Sequence, residues 1–163
     1  MQAAKDSFYM ALCARLQAVN PQRTVVIEGE VRPGILVAEN EAAVCEQPPE
    51  AFCLEWGAAK PLIESALVES TVMAADVVVR YRTCGTNHGE CDRGRSLTAM
   101  DAELMAILAP QHTVKCDYAQ ATPSALGSNV FWKSPVLSAA SQSPSMLSRE
   151  ATTTVYFYPE CEA

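Results

Sequence analysis

Between Ala74 and Ala109 the hydrophobic period of the sequence changes once, and no other stretch narrows the possible folds as much. Val77, Val79 and Tyr81 alternate with Val78, Arg80 and Arg82, the two-residue period of a half-buried strand rich in β-branched residues. From Leu97 onward, Leu97, Met100, Leu104, Ile107 and Leu108 recur at three- and four-residue spacing. That spacing predicts a helix which Ser96 or Asp92 caps and Pro110 closes. A strand that feeds an amphipathic helix through a short polar loop needs a sheet with one covered face.

The remaining chain fits around this unit. Ala4, Phe8, Leu12, Leu16 and Val19 predict a first helix over about 4–19, stopped by Asn20-Pro21 because proline disfavours helical geometry in the residue before it. Thr24–Glu28 and Ile35–Glu39 read as an antiparallel hairpin, with Gly29 and Pro33-Gly34 marking its turn region. Further strands are expected at Ala51–Trp56, Leu67–Thr83, His112–Tyr118 and Ala151–Tyr158, the last ended by Pro159. Residues 119–148 carry few charges and many Ser, Pro, Ala and Gly, which predicts a long loop or insertion holding a short strand near Asn129–Lys133. The order lacks the repeated strand–helix alternation of a doubly wound fold. The expected fold is α+β, a mainly antiparallel sheet with two principal helices packed on one face, in a single domain over 1–163.

Composition excludes several classes. With 163 residues, 49% of them hydrophobic, the chain can bury about 70% of the surface its unfolded form exposes. Twelve Lys and Arg stand against 19 Asp and Glu, a net charge of −7, so phosphate-backbone binding is disfavoured, although Arg80, Arg82, Arg93 and Arg95 lie close in sequence. No apolar run approaches the ~18 residues of a membrane span, and the N-terminal residues lack the continuous apolar core of a signal peptide. A cytoplasmic protein is expected. Seven cysteines, an odd number without a secretory signal, argue against a disulfide framework. Cys13, Cys53 and Cys116 fall in apolar patterns and read as small packing residues.

The loop Cys84-Gly-Thr-Asn-His88-Gly-Glu-Cys91 gathers two thiols and an imidazole within eight residues, the ligand types Zn²⁺ prefers. Cys84, His88 and Cys91 are the candidate metal ligands, with Glu90, His112, Cys116 or Cys161 available as a fourth if the fold brings one near. A structural turn, with Gly85 and Gly89 supplying permissive backbone angles, explains the same residues without chemistry. Pairing of Cys84 or Cys91 with His88 or His112 would make a thiolate nucleophile, but there is no Gly-x-Ser-x-Gly elbow, phosphate loop or dinucleotide fingerprint. No catalytic residue and no cofactor other than that possible zinc is assigned. Glu28, Glu30, Glu39 and Glu41 surround the first hairpin as a solvated face or a cation site.

The Phe8–Leu16 helix, the Ala75–Tyr81 strand and the Ser96–Leu108 helix resemble corresponding parts of the tail terminator and tail-completion proteins of long-tailed bacteriophages. The resemblance covers most of the chain through element order, and the Cys-rich loop and segment 119–148 depart from it. It implies a structural, non-enzymatic subunit that forms a homo-oligomer, often a hexameric ring, and meets tail-tube or head-connector proteins of a phage or prophage. It carries over no site residue. The alternative is an intracellular metal- or thiol-dependent binding protein or enzyme using the Cys84–Cys91 loop. An apolar small-ligand binder at the sheet–helix interface is a third reading.

Overall fold

A computed structural model of the chain describes residues 1–41, 48–63, 72–86 and 90–160, with the side chains of residues 90 and 91 outside the description. Helix α1 (Gln2–Val19) buries Ala4, Phe8, Leu12 and Leu16 completely, the stripe that the three- and four-residue spacing predicts. Its chain then runs through β1 (Thr24–Ile27), β2 (Glu30–Pro33), β3 (Ile35–Val37), β4 (Phe52–Trp56), β5 (Lys60–Pro61) and β6 (Met73–Thr83). Helix α2 (Glu90–Ile107) follows, then β7 (His112–Asp117), β8 (Ser124–Trp132), β9 (Val136–Leu137), β10 (Ser141–Gln142) and β11 (Leu147–Phe157).

The expected α+β class is borne out, with one refinement: the main sheet is mixed. Its order is β3-β4-β6-β11-β8-β7, with β5 attached to β6 and β9 and β10 attached to β11. β3 and β4 run parallel, and the other pairs in this sheet are antiparallel. The central ladder joins β6 to β11 along their full lengths, from Met73↔Phe157 to Thr83↔Leu147. Val77, Val79, Tyr81, Ala151, Val155 and Phe157 point into the core, while Asp76, Arg80, Glu150 and Thr152 face the other way and are exposed. Both helices therefore cover one sheet face, and they bring Leu97, Met100, Leu104, Ile107 and Leu108 against it. Phe8 sits at the centre, edge-on to Trp56 at 5.6 Å and to Trp132 at 5.2 Å between ring centroids.

The first hairpin differs from the expected one. β1 pairs with β2 in the register Val26↔Val31, around a two-residue turn of Glu28 and Gly29 whose φ angles are 52° and 86°, the left-handed pair that a tight hairpin turn requires. Ile35–Val37 instead joins β4, Ile35↔Phe52 to Val37↔Leu54. The reason is burial on both sides: Ile35 and Val37 enter the main core, while Leu36 packs with Val25 and Ala51 in a second small cluster. Gly34 makes the crossing possible, because a Cβ there would meet the Arg23 side chain at 3.0 Å and its carbonyl at 3.1 Å.

Residues 119–148 also differ from expectation. The short strand expected near Asn129–Lys133 is the end of the longer β8 (Ser124–Trp132), and after it the chain doubles along β11, pairing Val136↔Thr152 and Ser141↔Ser148, so the segment is a long broken hairpin rather than a loop around one short strand. Its ladder is made by main-chain groups, Pro135 interrupts it where no N–H is available, and Pro144 lies in the turn between β10 and β11. Helix α2 starts at Glu90, ahead of both Asp92 and Ser96, the expected caps. Asp92 accepts from the Thr86 N–H at 2.5 Å and from the Thr86 hydroxyl, tying the loop to the first turn of the helix.

Helix α1 clasps both edges of the sheet. Lys5 Nζ reaches the Glu39 carboxylate just beyond β3 at 2.7 Å, and Ser7 Oγ accepts from the Cys116 N–H of β7 at 2.9 Å. Two residues are about 200° apart around a helix axis. The β3 edge and the β7 edge thus attach to opposite flanks of one helix, which requires the sheet to curl around it.

Candidate functional site

The Cys-rich loop begins at the C-terminal end of β6. Cys84 is exposed and free, and Gly85, at φ 78°, turns the chain while its N–H donates to Thr83 Oγ1 at 2.9 Å. Thr83 in turn bonds the Glu50 carboxylate. His88 and the Cys91 side chain lie outside the described residues, as do Cys45 and Cys161. Among the described residues no three His, Cys, Asp or Glu side chains converge as a metal site. Burial raises the thiol pKa of Cys13 and of Cys53, which keeps both protonated at neutral pH and fits their role as packing residues. The carboxylates of the first hairpin are engaged separately. Glu39 holds Lys5, Glu41 pairs with Arg32 and accepts the Val37 N–H at 2.6 Å, and Glu28 forms the turn.

Beneath the loop lies a polar seam between α2 and the sheet. The Tyr81 hydroxyl donates to Asp101 Oδ1 at 2.5 Å, and Arg149 Nη1 donates to Asp101 Oδ2 at the same distance. Burial first, and then the hydrogen bond to Asp101, push the Tyr81 phenol well above its ordinary range. Arg23, itself nearly buried, ion-pairs with Glu103 of α2 and reaches Glu50 at 3.1 Å. The sequence does hold a signal for this seam: Asp101 stands four residues after Leu97 and three before Leu104, inside the apolar stripe, where an ionised group needs a partner.

Among the described residues, two hairpins carry exposed apolar side chains, the separate β1–β2 ribbon and the β7–β8 edge of the main sheet. On the β1–β2 hairpin, beside the β3 edge, Val26 and Val31 face each other across the ladder, 66% and 68% exposed. On β7–β8, Val114, Leu126 and Phe131 are 50%, 43% and 43% exposed, with the His112 ring against Phe131 at 5.6 Å. The four arginines near the Cys-rich loop do not form one patch. Arg80 and Arg82 lie on the sheet face away from the helices, Arg93 donates to the Pro144 carbonyl at 3.1 Å, and Arg95 is exposed on α2. No described helix is long and apolar enough to cross a membrane.

Compared with protein-family models and with curated proteins, the sequence matches none.

Proposed function

We propose that this chain is a structural subunit of the phage or prophage tail-terminator type, acting by closing a ring of identical copies that meets tail-tube or head-connector proteins. The observation that carries this reading is the placement of two unlike apolar hairpins, the separate β1–β2 ribbon packed beside β3 and the β7–β8 hairpin at the other edge of the main sheet. A head-to-tail ring needs two different, mutually complementary patches on each subunit, and a twofold dimer would need only one self-complementary patch. Exposed β-branched pairs such as Val26 and Val31 lose water favourably on contact, about 25 cal/mol for each Å² of apolar surface covered. The order of helices and strands supports the same reading through its resemblance to such subunits.

Light scattering from micromolar to near-millimolar concentration, with and without purified tail tubes, tests it. A discrete ring-sized species is expected in at least one condition, and Val26→Glu with Val31→Glu should return it to monomer. Monomer alone throughout, with no retention on tubes, would sink the proposal.

A further inference from the structure

On the sheet face away from both helices, β6 and β11 border a cleft of about 390 Å³, roofed on one side by the β9–β10 stretch. The volume lies within the range of small-molecule sites. We infer that this cleft binds a small ligand through an oxyanion, a phosphate or carboxylate group seated at the guanidinium groups of Arg82 and Arg80.

The placement follows from strand geometry. Arg80 and Arg82 are two residues apart on β6, so they project from the same face about 6.6 Å from each other, close enough for two long side chains to converge on one anion. Across the ladder Arg82 stands opposite Ser148, and Ser148 stands opposite Ser141 of β10. One cation and two hydroxyls thus form a single rung across three strands, and the Ser148 hydroxyl donates to the Ser141 carbonyl only at 3.4 Å, a long bond it can exchange for an oxygen anion. The neighbouring rung places Glu150 opposite Arg80, and the Ser138 hydroxyl accepts the Glu150 N–H at 3.2 Å.

One further observation favours an anion here. Arg80 is held by Glu55 and Glu150, yet all three side chains are about half exposed, at 47%, 49% and 54%. Ion pairs this wet contribute little and exchange readily, so an incoming oxyanion can take one edge of the Arg80 fork while a carboxylate keeps the other. Glu150 repels a second negative charge and so biases the anion toward the Arg82 rung. A net charge of −7 disfavours an extended polyanion and leaves a compact one.

Titration of the intact protein with inorganic phosphate, and separately with citrate, at constant ionic strength and followed by amide NMR, tests the site. Saturable shifts are expected at residues 80–82, 138–141 and 148–150, and the tighter of the two probes identifies phosphate or carboxylate as the preferred group. Arg82→Gln should weaken binding about tenfold or more, while Arg95→Gln, on the exposed side of α2, should not. If Arg82→Gln does not fold, Ser141→Ala at the exposed rim is expected to weaken binding about threefold through one lost hydrogen bond. Absence of saturable shifts with either probe overturns the inference. So does equal weakening by Arg95→Gln, which would mean diffuse charge attraction, or unchanged binding in Ser141→Ala.

Discussion

Tyr81 occupies a strand position that its neighbours fill with valine, and its phenol is tolerable there because Asp101 accepts its proton-bearing oxygen at 2.5 Å. Tyr81→Phe should cost about 1–2 kcal/mol in denaturant unfolding, a modest loss because Asp101 keeps Arg149 as its partner. The same change alters the response to alkali. A phenol whose folded pKa lies above its unfolded value of about 10 contributes stability that is complete below that pH and disappears as pH climbs toward the folded value. The wild type should therefore lose stability above about pH 10, and Tyr81→Phe should show a shallower loss. A slope will remain from Tyr9, whose phenol burial and the nearby Cys13 push up to about 12. Phe8→Ala removes a fully buried ring edge-on to two tryptophans and should cost about 3–5 kcal/mol. Phe8, Val79 and Leu104 were readable as core from spacing alone. Spacing also puts Asp101 in the stripe, but its partners come from two distant strands, and spacing along one helix cannot name them.

The β1–β2 hairpin shows what limits such reading at the level of elements. Gly29 marked a turn, and a turn is what it makes, yet the strand expected to return from it lay too far along the chain. Alternation distinguishes a strand covered on one side, whereas β3 is covered on both and looks the same as any short apolar run. Gly29→Ala should test the turn. Nothing lies within 4 Å of the added methyl group, so the penalty is purely the left-handed backbone, about 1 kcal/mol, or a melting temperature lower by roughly 2–4 °C. The 119–148 stretch hides most of its strands for a related reason. Its side chains are mostly small and exposed, and a ladder built from main-chain hydrogen bonds leaves no hydrophobic period to detect.

For the molecule as a whole, the α+β class followed from element order, while the surfaces that bear on function did not. Val26 and Val31 have the same β-branched chemistry as core valines, and only the folded arrangement leaves them two-thirds exposed. Arg80 and Arg82 could be placed on one face by alternation, but the serines opposite them come from a segment whose pairing was hidden. The attachment of both sheet edges to α1 also governs how the molecule is made. Ser7 and Cys116 are 109 residues apart, so the stripe of α1 has no complete surface to bury against until β7 exists. Contacts of such range slow folding, and they place the docking of α1 late. Phe8→Ala should accordingly speed unfolding in stopped-flow experiments while leaving the refolding rate nearly unchanged. Helix α1 leaves the ribosome before the strands it packs on yet is the last of them to find its seat, and until it does the part of the curled sheet that it covers stands open to water, the interval in which this protein is most exposed to aggregation.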